Sequence, residues 1–376
     1  MRYLKGKFKE IILIFILMIL IFPAIQKTFN LIKVEWLKGA IVQIEKKEVT
    51  LNDWFSAEYQ LQYEKYLNEN FGFRNAFIRF NNEISYDFFG KAKANGVTIG
   101  KQNYLFEENY IKAYFGTDFI GKDSIDNRME KLRFIQDTLS KLNKTFILVF
   151  AAGKGTFYSE YIPEDKVIKK GLTNYKYHLK RAEELKINHI DFNHYFLKNK
   201  FKSKYPLYPQ YGIHWSKYGM CLAADSIIKY IEKKRDIDMQ NIYWNKIDLE
   251  YPKDEDYDIA DGMNLIFRLK SFKMGYPQIQ FEKDSTKKKP NILMISDSFY
   301  WGMFNFGISI VFNESHFWFY NKEVYPDSFT KPLTTEDVDV RKEIQKHDVI
   351  VVMATQATMP DLGWGFIEKA YNAYKK

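Results

Sequence analysis

The sequence predicts an α/β fold built on a mainly parallel sheet. Three observations carry this. Continuous apolar runs of strand length, such as 145–151 and 348–353, fit strands buried on both faces. Amphipathic helical segments alternate with them, the pattern of a parallel sheet covered by helices. The 376-residue chain is 46% hydrophobic and 27% charged, ordinary globular composition that excludes a disordered or collagenous chain. That length makes one large domain or two small ones.

The N-terminus stands apart from this pattern. Arg2, Lys5, Lys7 and Lys9, with the single acid Glu10, precede an unbroken apolar run, Ile11 to Ile25. As a helix the run spans about 22 Å, short of a bilayer core of about 30 Å. A secretory signal has this form. The following Gln26, Lys27, Thr28 and Phe29 offer no small-x-small cleavage site. An uncleaved signal anchor is therefore expected, with Lys9 and Lys27 snorkelling to the two interfaces. Basic residues before the run place the N-terminus in the cytoplasm and the rest of the chain outside. The expected organisation is a cytoplasmic tail and anchor over 1–26, a helical linker over 27–90 and an α/β domain over 91–376.

Within the linker, 56–80 has apolar and aromatic residues at helical spacing, broken at Gly72. Val97 to Phe106 reads as two short strands around a turn at Gly100 to Asn103. Residues 124–143 form an amphipathic helix with Ile125, Met129, Leu132, Phe134, Ile135, Leu139 and Leu142 on its apolar side. The strand 145–151 follows. A helix at 173–186 leads to a short strand at 187–192, and another helix covers 216–235. Strands at 291–295, 317–320 and 348–353 and a helix at 363–374 complete the alternation. Lys287-Lys288-Lys289-Pro290 reads as a solvated loop before a strand.

Composition narrows the function. The net charge of +9 is concentrated in part at the N-terminus and is otherwise spread thinly, which does not suggest nucleic-acid binding. A mean hydropathy of −0.39 excludes a polytopic membrane protein. The lone Cys221 excludes an intramolecular disulfide framework and a cysteine zinc cluster.

In open α/β sheets, ligands bind beyond the carboxyl ends of the strands. There Ile292-Leu293-Met294-Ile295 runs into Ser296-Asp297-Ser298-Phe299. A buried strand delivering a hydroxyl onto a turn is the geometry of an activated serine, and equally of a helix N-cap. A serine nucleophile needs a neutral base, for which histidine is the usual choice. Of the six histidines, His178, His189 and His194 sit in one helix–strand region at spacing irregular for a metal site. His214 differs, lying in Tyr211-Gly212-Ile213-His214-Trp215-Ser216, between a proline-aromatic loop and a long helix.

In order along the chain, several blocks resemble the SGNH-hydrolase-like proteins of the alginate O-acetyltransferase type, related to AlgJ and AlgX. The resemblance covers roughly 85–376. Gly100-Lys101-Gln102-Asn103-Tyr104-Leu105-Phe106 looks like the family's Gly-Lys-x-x-Trp-Leu-Phe block. Lys154 to Pro163 resembles its Lys-x-x-x-Tyr-x-Glu-Tyr-Leu-Pro segment. Gly212-Ile213-His214-Trp215 resembles Asp-x-His-Trp, and Ser296-Asp297-Ser298-Phe299 resembles Gly-(Asp/Thr)-Ser-(Phe/Tyr). The histidine block precedes the serine block, the family's circularly permuted order.

This resemblance implies a three-layer SGNH-hydrolase-like fold, Ser298 as nucleophile and His214 as its base. Two positions depart from the pattern: Gly212 stands where the family has its acid, and Ser296 where it has glycine. Without an acid, His214 lacks the group that fixes its tautomer and stabilises its imidazolium. Asp258, Asp261 and Asp327 are the candidate substitutes. The Ser298 backbone N–H and the Asn321 amide are the expected oxyanion donors. Lys154, Tyr158, Trp215 and Tyr300 are expected to line the cleft. No metal or cofactor is expected. The implied function is an extracytoplasmic, membrane-anchored transfer of acetyl groups to a cell-surface or secreted polysaccharide, with a membrane acyltransferase as acyl donor. An acetylesterase of the same fold and a non-catalytic polysaccharide-binding or assembly protein are the alternatives.

Overall fold

The computed structural model describes residues 2–39 and 44–375, with side chains from Lys7 onward. The side chains of Arg2 and Lys5, part of the basic cluster, lie outside the described residues. The chain divides into two compact units, one comprising residues up to 95 with 260–269, the other 96–259 with 270–376.

The first unit is helical. Its first helix, Arg2–Phe29, extends well beyond the apolar run and contains Pro23. Its portion Lys7–Phe29 is long and apolar enough to cross a membrane, and none of that apolar window is buried. Where the helix ends, Gln26 turns the chain back: its amide donates to Ile32 O at 2.6 Å and accepts from Ile32 N at 3.0 Å. The helices Glu58–Asn70 and Arg74–Phe89 meet at a corner containing Gly72. A Cβ there would sit 2.1 Å from Pro23 O, so only glycine permits the approach. Segment 260–269 is held by side chains of the second of these helices. Asn82 donates to Met263 O at 2.8 Å, and Glu83 accepts from Ile266 N at 2.7 Å.

The second unit contains a six-stranded sheet. We label its strands β1 (Thr145–Ala151), β2 (His189–Asp191), β3 (Ile292–Ser296), β4 (Ser315–Phe319), β5 (Glu323–Tyr325) and β6 (Val349–Thr355). Their spatial order is β5-β4-β3-β6-β1-β2. All neighbours are parallel except the antiparallel edge strand β5. The two central pairings put Val351 opposite both Ile147 and Met294. The hairpin expected at 97–106 is present as Val97–Ile99 paired with Leu105–Glu107.

Side chains alternate across a strand, so each strand feeds two layers. Phe146, Leu148 and Phe150, with Leu293, Ile295, Ile350 and Val352, pack into one core. The helices Lys122–Lys141 and Phe366–Tyr374 close that face with Ile125, Met129, Leu132, Ile135, Phe366 and Ile367. The opposite face, including Ile147, Val149, Met294, Val351 and Met353, is equally buried. The helix Lys217–Arg235 adds buried Met220, Ala224, Ile227 and Ile231. Its last residue, Arg235, donates to Thr145 Oγ1 and Asp348 O at the start of β1 and β6. Three layers result, as expected. Ser298 is left just beyond the carboxyl end of β3, the central position of such a sheet where ligands bind.

Candidate active site

The turn carrying Ser298 is set by the strand before it. All five residues of β3 are buried, so the chain leaves the sheet at a fixed point. Asp297, almost fully buried, locks the exit. Its Oδ1 accepts from Phe299 N at 3.1 Å, and its Oδ2 accepts from Thr355 N at 2.8 Å and Thr358 Oγ1 at 2.7 Å. Ser298 occupies the N-cap of the helix Phe299–Asn305, but its hydroxyl makes no capping bond. It faces His214 instead, with Oγ 3.0 Å from His214 Nε2.

His214 is held by a loop with unusual support. Lys154, fully buried, donates to Gln210 O at 2.9 Å and to Gly212 O at 2.5 Å. Tyr158 donates to Tyr208 O at 2.9 Å. Ser216 caps the helix that follows, accepting from Gly219 N at 2.9 Å. The ring of His214 packs on Phe299, centroids 4.8 Å apart.

The acid comes from 44 residues further on. Asp258 Oδ2 accepts from His214 Nδ1 at 2.7 Å, and its Oδ1 accepts from Ile213 N at 2.8 Å. Serine, histidine and aspartate thus form one line. Gly212 explains how. A Cβ at this position would lie 2.3 Å from Glu255 O and 2.8 Å from Asp256 C. The absence of the acid side chain at 212 is what admits the segment that carries Asp258.

Burial alone would lower the His214 pKa. The Asp258 hydrogen bond and the charges of Asp258, Glu255 and Asp297 outweigh it, and the pKa is raised above the usual 6.5. For Lys154 the balance is reversed: burial pushes its ammonium down to about 7, and the charges of Asp258 and Glu107 offset only part of that. Burial and the Asp258 charge raise Glu107 in turn.

The other residues singled out in the sequence lie elsewhere or do other work. Asp261 pairs with Lys38 at 2.8 Å in the first unit. Asp327 begins the short turn Asp327–Phe329, and its charge acts on His316 rather than His214. The Asn321 amide donates to Trp364 O at 2.9 Å, which commits it to a turn. Trp215 and Tyr300 are core residues rather than cleft residues. Trp215 stacks on Phe196 and meets Phe299 edge to face, and fully buried Tyr300 packs on Phe317. Lys154 and Tyr158 are likewise buried supports of the histidine loop, not open cleft walls.

The sequence reading missed Tyr320. It and Asn321 adopt left-handed φ of 49° and 50° at the end of β4, a conformation rare for such side chains. The turn brings the half-buried Tyr320 phenol against Ser298. Burial and the Asp297 charge raise its pKa, and the neighbouring Ser298 offsets part of that rise. The signal available was position: Tyr320 follows a strand at its carboxyl end.

A permuted serine–histidine–aspartate line on a three-layer parallel sheet defines the class as SGNH hydrolase-like. Residues 97–250 match the family model "ALGX: SGNH hydrolase-like domain, acetyltransferase AlgX". The matched segment includes His214 and ends before Asp258 and Ser298. Similar solved structures include the O-acetyltransferase domain of Pseudomonas putida AlgJ, at 13% identity and TM-score 0.49, covering 74% of this chain and 99% of that one. Pseudomonas aeruginosa AlgX gives 12% and 0.45, covering 73% and 67%. Bacillus cereus PatB1 gives 12% and 0.48, covering 72% and 99%. No curated protein matches the chain in sequence.

Proposed function

We propose that the protein transfers acetyl groups to hydroxyls of a cell-surface or secreted polysaccharide through an acyl-enzyme on Ser298. The observation that carries this reading is the hydrogen-bonded line from Ser298 Oγ through His214 to Asp258. Neutral His214 takes the Ser298 proton as Oγ attacks the acetyl carbonyl, then returns it to the departing donor group. A sugar hydroxyl enters, gives its proton to His214 and attacks the acetyl-serine. The new ester leaves and Ser298 is restored. Asp258 keeps His214 in the tautomer with its proton on Nδ1 and stabilises the imidazolium.

The Ser298 N–H and the Tyr320 hydroxyl are the two donors proposed for the oxyanion. A carbonyl oxygen entering between them meets both. Tyr320→Phe is expected to lower kcat by about 10- to 100-fold with little change in KM for the donor. An unchanged kcat removes Tyr320 from the reaction. Beside it Trp364 packs edge to face with Tyr320, centroids 5.2 Å apart, a half-exposed aromatic pair suited to sugar stacking.

Asp258 at the place of the missing family acid supports catalysis over binding alone. The acetyltransferase family of segment 97–250 supports transfer over hydrolysis. The apolar helix supports a single membrane anchor with the catalytic unit outside the cytoplasm. There a membrane-bound acyltransferase would supply the acyl group. The test is to incubate the protein with an activated acetyl ester, with and without acceptor oligosaccharide, and to follow acetyl on the Ser298 peptide by mass spectrometry. Acetyl-Ser298 that is consumed faster when acceptor is present, and acetylated acceptor, are expected. Acetylated acceptor made by Ser298→Ala would overturn the mechanism, and acetate release unaffected by acceptor would make the protein an esterase.

A further inference from the structure

A second cluster lies at the opposite end of the sheet. His316 is the second residue of β4, in register with Leu293, whereas Ser298 follows the far end of β3. Facing His316 are Glu343 and His347, in the first turn and at the C-cap of the helix Val340–Lys346. One ligand atom from each of the three lies within 4.8 Å of the others. Glu343 and His347 side chains are 4% and 0% exposed, while His316 is 23% exposed and opens the cluster to solvent.

The hydrogen bonds make the cluster more than an ion pair. His316 Nδ1 contacts Glu343 Oε1. His347 Nδ1 donates to Glu343 O at 2.8 Å, which places its lone pair on Nε2. That Nε2 is buried and has no partner. A histidine fixed through one nitrogen by a backbone carbonyl, with the other nitrogen free, is the usual arrangement of a metal-ligating imidazole. Lys144 anchors the same corner by donating to His347 O at 2.7 Å. The surrounding charges also favour a cation. Glu314 and Asp327 act on His316; the opposing charges are Lys346, 3.0 Å from Glu343 Oε2 on a side chain 58% exposed, and Lys144, which is held on the His347 carbonyl.

We propose that His316, Glu343 and His347 bind a divalent transition-metal ion, best matched by zinc. Two imidazoles and a carboxylate are a common zinc donor set, with the fourth position left to water through the exposed side of His316. Binding expels the proton shared by His316 and Glu343, and the Lys346 ammonium swings to solvent. The ion would clamp the helix Val340–Lys346 onto the start of β4. Its place at the far end of the sheet makes it structural, independent of the Ser298 chemistry. Glu343 and His347 are four residues apart, but His316 lies 27 positions before Glu343, so the sequence alone did not bring the three together.

The test uses the full chain in detergent, stripped with chelator and titrated with zinc chloride against a chromogenic chelator. One equivalent of zinc and a rise in Tm of several degrees at saturating zinc are expected. His316→Ala should weaken binding at least about tenfold, since a ligand is lost. His194→Ala, outside the cluster, should leave it unchanged. X-ray absorption on the wild-type zinc complex, which needs no variant to fold, should show two imidazoles and one carboxylate oxygen. Zinc held equally well by His316→Ala, no equivalent bound by the wild type, or a zinc shell with fewer than two imidazoles would each overturn the proposal.

Discussion

Gly212 is the position where a single methyl group should do most harm to activity. An alanine Cβ would stand 2.3 Å from Glu255 O, 2.8 Å from Asp256 C and 2.9 Å from Pro209 Cγ. Ordinary contact needs about a further 1 Å from the first of these, and the obstacle is backbone, which cannot rotate away. The segment must therefore retreat, and Asp258 follows two residues later. Overpacking of this kind costs about 1–3 kcal/mol of stability. Its effect on catalysis is larger, because the 2.7 Å bond to His214 lengthens by a similar amount, and a misplacement of about 1 Å costs on the order of 100-fold in rate. The assay is steady-state acetyl release from an activated ester by Gly212→Ala, run below its measured Tm so that unfolded enzyme does not contribute. We expect kcat to fall about 100-fold with KM for the donor nearly unchanged. The double variant Gly212→Asp/Asp258→Asn, which restores an acid two residues before the histidine, should remain inactive. Wild-type kcat in Gly212→Ala, or rescue in the double variant, would refute the account of how the acid reaches His214.

Three further outcomes follow from the same geometry. Asp258→Asn keeps the shape and removes the charge, so kcat should fall about 10⁴-fold, as in other serine triads. Burial then dominates His214, and the pH midpoint of the residual activity should drop; an unmoved midpoint excludes Asp258 as the partner. Lys154 titrates near 7 when folded and near 10.5 when unfolded. Across that window the unfolded chain holds a proton the folded chain lacks, so stability rises with pH. Lys154→Met should flatten this rise in urea midpoints. It should also cost about 1–3 kcal/mol by leaving the Gly212 carbonyl unpaired, while the Gln210 carbonyl keeps the Leu105 N–H. Asp256 is the reverse case, raised by burial from 3.8 to about 7. Wild-type stability should fall as pH climbs through that window, because the unfolded chain releases a proton the folded chain keeps. Asp256→Asn should therefore be more stable than wild type above pH 7 and equal to it near pH 4, and equal stability at pH 8 refutes the assignment.

Much of the fold was legible because its strands are buried on both faces. β1, β3 and β6 are unbroken apolar runs, and a run of that length admits few other environments. The strands toward one edge were harder: β4 mixes Ser315 and His316 with aromatics, and the edge strand β5 has three residues. At the site, the turn carrying Ser298 and the loop carrying His214 have local signatures that the family resemblance tied together. Asp258 has none. It follows Asp254-Glu255-Asp256-Tyr257, an acidic stretch that reads as surface, and its bonds to Ile213 N and His214 Nδ1 distinguish it from Asp261 and Asp327. The aromatic neighbours misled for a physical reason. Trp215 and Tyr300 flank the reacting residues in sequence because those residues must be anchored, and their rings do that anchoring from inside the core.

The glycine and the aspartate are best understood as one feature. A triad is defined by the positions of its groups, not by their order or spacing in the chain. At 212 an acid side chain and the backbone of Glu255 would occupy the same space, so a chain can hold one or the other. With the side chain gone, the segment closes in and supplies its own carboxylate. Asp258 then gains a second anchor, the Ile213 N–H at 2.8 Å, on the residue between Gly212 and His214. The acid thus grips the backbone of the histidine loop as well as the imidazole, while Lys154 holds the same loop through the Gly212 carbonyl. With glycine at 212, His214 is fixed from two sides by groups distant in sequence.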